Sequence, residues 1–215
     1  MSQQLVEELV AVAIFILIAF PVHEFSHAFA AFRLGDSTAR WQGRLTLNPI
    51  AHFDPLGGAV LVLSALIGGV FIGWAKPTPV NPYNLRYGRR GESLVALAGP
   101  ISNLVMAAIV AIPLRVITMN PSMFFTVASN NVASFIFDIA GFFVLINVFL
   151  MVFNLLPIPP LDGWHILLGL VDARTAYNLR AFEQYGFVIL LLIIFLAPSF
   201  IGNIGFTITN FLLGT

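Results

Sequence analysis

Apolar residues in this chain come in long unbroken runs. They show neither the spaced stripes of a water-soluble helix nor the alternation of a half-buried strand. Four runs stand out: Leu9–Leu34, Ser93–Met119, Val132–Leu156 and Phe187–Leu213. Each exceeds the roughly 20 residues that a helix needs to cross the hydrocarbon layer of a bilayer, which predicts four tilted membrane helices. A fifth run, Leu56–Trp74, is shorter and holds Gly57, Gly58, Gly68, Gly69 and Gly73. It either crosses the membrane or dips in and returns as a re-entrant hairpin packed within protein, and the hairpin, or a pair of short elements, is the favoured reading. Ala39–Thr46 and Pro77–Arg86 alternate or are punctuated by proline, and short β-strands are expected there. The predicted fold class is an all-α polytopic membrane protein, one membrane-embedded domain over residues 1–215.

Composition sharpens this picture by exclusion. The chain has 215 residues, 59% hydrophobic and 9% charged, with a mean hydropathy of +0.93. A soluble domain carries about 25% charged residues, and one core of this length cannot bury so much apolar surface. A water-soluble enzyme and a disordered chain are both excluded. Ten Lys+Arg balance ten Asp+Glu, so no electrostatic footprint for nucleic acid exists. Cysteine is absent, which excludes disulfides, thiolate metal sites and cysteine nucleophiles. Met1 to Val10 carries Glu7 and Glu8 and no cation, and no small-residue cleavage site is evident before His23, so a retained first span is expected rather than a secretory signal. If Leu56–Trp74 re-enters, the loops at 33–54, 75–92 and 157–186 share one side. Nine of the ten cations fall there, with Arg115 alone at the far end of a helix. The positive-inside rule makes that side cytoplasmic and puts the N-terminus outside.

The first run contains Pro21-Val22-His23-Glu24-Phe25-Ser26-His27. On a helix, His23 and His27 project from one face, and two imidazoles so placed reach one Zn²⁺ at about 2.0–2.1 Å. Glu24 lies beside them, free to take a proton from water and pass it to a leaving amine. The pattern is HExxH, the zinc metalloprotease signature. The plainer alternative is a hydrogen-bonded polar patch between helices. A catalytic zinc commonly takes a third protein ligand. The best candidate is Asp162, which follows the prolines of Asn154-Leu155-Leu156-Pro157-Ile158-Pro159-Pro160-Leu161-Asp162-Gly163. The prolines end the third long helix and hold the chain extended, and Gly163 is expected to permit an unusual turn. The competing role for Asp162 is an N-cap for a helix starting near Trp164. In the favoured topology His27 and Asp162 lie at similar depth.

Taken together with the motifs around them, these residues make the sequence resemble the site-2 protease family of intramembrane zinc metalloproteases. The matching motifs are His23-Glu24-Phe25-Ser26-His27, Ala98-Gly99-Pro100-Ile101-Ser102-Asn103 and Asn154 to Gly163. Gly73-Trp74-Ala75-Lys76-Pro77-Thr78-Pro79-Val80-Asn81-Pro82 resembles the small prokaryotic branch. The resemblance implies one Zn²⁺ per chain held by His23, His27 and Asp162. It makes Glu24 the general base, and it gives Asn154 a part in holding the substrate strand or stabilising the oxyanion. It implies transmembrane proteins or peptides as substrates and a multi-pass location in a prokaryotic cell membrane. The PDZ and CBS domains of larger members do not fit in this chain.

Other polar residues have competing readings. Asn147 lines a cavity or bonds between helices. His52 is a loop histidine or an alternative ligand, and His165 a competing ligand. Asn103 is expected to serve packing beside Gly99 and Pro100. The two expected strands would offer an edge on which an unwound substrate adds as a further strand. Two other functions compete: a transporter or channel with a buried metal or proton pathway, and a catalytically silent homologue that binds membrane proteins.

Overall fold

The protein is described here from a computed structural model covering residues 10, 13–67, 74, 76–196 and 198–214. The start of the first predicted run, and residues 68–73 of the fifth, lie outside the described residues. Four helical stretches are long and apolar enough to cross a membrane: Phe15–Arg33, Arg89–Thr118, Asn131–Asn154 and Ala173–Leu196. The first, α1 (Phe15–Arg33), opens with a wide π-turn over Phe15–Ala19. Pro21 follows one residue later, after Phe20. Its missing N–H and bulky ring disrupt the regular ladder, and a widened turn accommodates both. Short helices α2 (Thr38–Trp41) and α3 (Pro49–His52) lead into α4 (Pro55–Ile67). The long α5 (Arg89–Thr118), α6 (Pro121–Ala128) and α7 (Asn131–Asn154) come next. They are followed by α8 (Asp162–Leu170), α9 (Ala173–Arg180), α10 (Gly186–Leu196) and α11 (Pro198–Leu213).

The centre of the bundle is α5, against which α1, α7, α8 and α11 pack. Its inward face carries Ala96, Gly99, Asn103, Ala107, Ala111 and Leu114, all buried. Their three- and four-residue spacing puts them on one stripe. Small residues suit that stripe, because in lipid helices associate by close packing and not by escape from water. Ala107, Ala111 and Leu114 meet Val144, Val148, Met151 and Val152 of α7 and Ile201 of α11. The outward face of α5 leaves Ile109, Ile112 and Val116 exposed, as suits lipid contact.

The fifth run re-enters. The chain comes back to where α4 began. The Trp74 carbonyl lies so close to Gly57 that a Cβ there would overlap it, and the Lys76 N–H donates to the His52 carbonyl at 3.1 Å. The loops flanking α1, α5 and α8 therefore gather at one end of the bundle. There Arg86 N–H donates to the Leu34 carbonyl at 2.8 Å, and Arg89 Nη1 reaches the Leu168, Val171 and Asp172 carbonyls. Arg115, at the opposite end, bonds the Phe211 carbonyl.

The expectation of strands needs correction. No strand forms among the described residues. Ala39–Thr46 begins inside α2 and continues as turns, while Pro77–Arg86 runs extended into a 3-10 turn at Pro82–Asn84. Proline at 77, 79 and 82 removes the N–H groups that a ladder needs. The fourth run, Phe187–Leu213, is helical over Gly186–Leu196 and Pro198–Leu213, and residue 197 lies outside the described residues. The run traverses the bundle: Gly186 abuts Pro159 near the loop end, and the Leu213 carbonyl accepts from Thr118 Oγ1 at 2.8 Å at the other.

Candidate metal centre

His23 and His27 share one face of α1, 5% and 7% exposed. Each ring is oriented by a bond at its Nδ1. His27 Nδ1–H donates to the Val95 carbonyl of α5 at 2.8 Å. For His23 the proton is dictated from further away. The Phe143 carbonyl only accepts, so Asn147 turns its Nδ2 toward it at 2.9 Å. Asn147 Oδ1 then accepts from Asn103 Nδ2 at 2.9 Å, which leaves Asn103 Oδ1 to accept from His23 Nδ1–H at 2.6 Å. Asn103 and Asn147 are fully buried. Both imidazoles are thereby held with an unprotonated Nε2 facing inward, the form a metal ligand requires.

The two Nε2 atoms lie 3.0 Å apart. Asp162 Oδ2 stands 3.2 Å from His23 Nε2 and 3.3 Å from His27 Nε2. Oδ2 is buried and finds no hydrogen-bond donor. Three electron-rich atoms facing one another without a proton need a cation between them. Tetrahedral zinc with bonds of about 2.0–2.1 Å spaces its ligand atoms by about 3.3 Å, close to these separations. The donor set therefore fits zinc. Among the described residues, these three are the group of His, Asp and Glu side chains able to hold a metal.

Asp162 reaches the site because the proline loop returns the chain under α1. It is the first residue of α8, whose N-cap position is Leu161, so capping is not its role. Gly163 lies inside α8 and has no left-handed φ. It answers a close approach and not an unusual turn, since a Cβ would run into the Leu155 and Leu156 carbonyls. Gly99 likewise lets α5 lie against the imidazoles: a Cβ there would overlap His27 Nε2 and lie 2.6 Å from His23 Cε1.

Glu24, 9% exposed, points its carboxylate at the extended segment after the hairpin. Thr78 N–H and Oγ1–H both donate to Glu24 Oε2, at 3.1 and 2.7 Å. Asn154 donates Nδ2 to the Leu150 carbonyl of its own helix at 2.9 Å, and no bond joins it to the three ligand candidates. His165 turns to Glu92, with Nδ1 at 3.1 Å from Oε1. His52 is buried in the loop layer, its Nε2–H donating to the Thr46 carbonyl at 2.8 Å. Asn103 is the residue undervalued from sequence. Its distance of 80 positions from His23 hides the bond that only helix packing makes. Thr78 was overlooked too, although Pro77 and Pro79 beside it mark it as the one backbone donor of that tripeptide.

Fold and site define a multi-pass membrane protein with a largely buried His-His-Asp group able to hold a metal, and with Glu24 adjacent in sequence to one of its histidines. The sequence model of peptidase family M50 matches residues 115–197, a stretch that includes Asp162. YwhC of Bacillus subtilis, named as a zinc metalloprotease, is 38% identical over 183 residues, covering 85% of this chain and 78% of that protein. Two mycobacterial proteins named Rip2, also as zinc metalloproteases, are similar. The one from Mycolicibacterium smegmatis is 35% identical over 83% of this chain and 64% of its own length. The one from Mycobacterium tuberculosis H37Rv is 31% identical over 86% and 66%. The chain belongs to peptidase family M50, the site-2 protease family of zinc metalloproteases. No solved structure matches it significantly.

Proposed function

We propose that this protein is an intramembrane zinc endopeptidase that cuts peptide bonds in or near transmembrane segments of other membrane proteins. The observation that carries the reading is the convergence of His23 Nε2, His27 Nε2 and Asp162 Oδ2 from two separate helices. They would hold one zinc per chain. Zinc, when bound, supplies a Lewis acid for the scissile carbonyl and makes water more acidic.

The remaining chemistry belongs to the chain. Glu24 takes a proton from the attacking water and returns it to the leaving amine. Asn103 and the Val95 carbonyl keep both imidazoles in the ligating tautomer through the cycle. Asn154 holds the substrate strand or the developing oxyanion; one amide N–H is committed to Leu150, and the other N–H and Oδ1 are its means. The site lies at the end of the bundle that gathers nine of the ten cations, which supports a cytoplasmic-facing site in a prokaryotic cell membrane. Water enters from there, past Asp162, whose side chain is 18% exposed.

The test measures zinc content and cleavage of a model transmembrane substrate for wild type, Glu24→Gln, His23→Ala and Asp162→Ala. Glu24→Gln is expected to keep zinc and lose cleavage, and the ligand variants to lose both. Normal cleavage by Glu24→Gln, or metal flux into proteoliposomes without peptidase activity, would overturn the assignment.

A further inference from the structure

We propose that Thr78 is a positioning residue for the Glu24 carboxylate, set in place by Arg44, so that turnover depends on the segment after the re-entrant hairpin as well as on the metal ligands. This rests on the peptidase reading above. In Pro77-Thr78-Pro79 the prolines have no N–H, so Thr78 carries the tripeptide's one backbone donor. Pro79 also keeps Thr78 extended. Both donors of Thr78 go to one atom, Glu24 Oε2, at 3.1 Å from the amide and 2.7 Å from the hydroxyl. The hydroxyl has a single proton, so its 3.2 Å contact with the Glu24 main-chain carbonyl is secondary. Oε1 accepts no hydrogen bond among the described residues. Two charge-assisted bonds on one oxygen fix the carboxylate plane and leave the other oxygen to carry the proton.

Thr78 is fixed in turn. Arg44, 4% exposed, donates Nη2 to the Lys76 carbonyl and, at 3.0 Å, to the Pro77 carbonyl. Its Nε and Nη1 are buried and find no partner among the described residues. Burial lowers the Arg44 pKa, and the charge of Glu24 opposes that lowering. A guanidinium kept out of water with so few partners is a costly way to hold a loop, and the segment it holds is the one that reaches Glu24. Past Thr78, Asn81 N–H donates to the buried Asp36 Oδ2 at 2.7 Å, so the extended run is pinned on both sides.

The experiment compares wild type, Thr78→Val, Thr78→Ser and Glu24→Gln for kcat, KM and zinc content on a model transmembrane substrate. Thr78→Val keeps the shape and the amide but lacks the hydroxyl. Its kcat is expected to fall about 10- to 100-fold, with KM within about twofold of wild type and zinc content unchanged. Thr78→Ser is expected to recover most of the kcat. Wild-type kcat in Thr78→Val, serine rescuing no better than valine, or loss of zinc from Thr78→Val would overturn the proposal while leaving the peptidase reading intact. Normal turnover by Glu24→Gln would sink both.

Discussion

Asn103→Ala probes the chain of amides that sets the His23 tautomer. The substitution removes the Oδ1 that accepts from His23 Nδ1–H at 2.6 Å and the Nδ2 that donates to Asn147 at 2.9 Å. Two buried groups are then left without partners, at about 1–3 kcal/mol each. The Asn147 loss falls on stability alone. The His23 loss falls on metal binding too, because the ring is free to rotate or to protonate Nε2. Losing such a partner typically weakens a metal site about 10- to 100-fold, or about 1.4–2.7 kcal/mol. Asn147→Ala spares the acceptor on His23 and only frees Asn103 to turn, so its effect on zinc is expected to be below about tenfold. Competition with a chromogenic chelator on purified protein measures both constants without any substrate. Wild-type affinity in Asn103→Ala, or a larger loss in Asn147→Ala, would refute the reasoning.

Three further outcomes are expected. Gly99→Ala drives a methyl group into both imidazoles and should abolish zinc retention, whereas Gly141→Ala, whose Cβ meets nothing within 4 Å, should bind zinc as wild type does; metal analysis after gel filtration decides. Asp36 is buried, which would raise its pKa, but bonds from Thr38, Asn84 and Asn81 outweigh this and lower it. A lowered folded pKa gives stability that is present above the ordinary carboxylate range and lost as pH falls through the folded value. The gap in thermal midpoint between wild type and Asp36→Asn should thus be widest near neutrality and shrink in acid, and a gap constant with pH would contradict it. The chain has no native cysteine, so single cysteines report sidedness cleanly: exposed Tyr83 and Tyr177 should label from one face of the membrane and exposed Phe125 from the other, and labelling of all three from one face would break the topology.

What was legible in sequence follows from the solvent. Lipid cannot satisfy backbone groups, so outside a closed barrel a crossing segment must be a long apolar helix, and such runs show without any knowledge of their neighbours. The spacing of His23, Glu24 and His27 is likewise a local property, because a helix alone puts residues four apart on one face. Asp162 was legible through the proline loop before it. Short elements were less so: proline and glycine at 77–82 announce an irregular segment but do not say what it bonds, and the strands expected there do not form.

Tertiary structure alone decided the rest, because those relations join residues far apart in the chain. Packing of α5 between α1 and α7 turned Asn103 from a packing residue into the group that sets the His23 proton. Return of the hairpin brought Thr78 to Glu24, 54 positions away. Local patterns name which side chains are able to ligate or to transfer protons. The protonation state and orientation in which they do so depend on hydrogen-bond partners that only the folded bundle supplies.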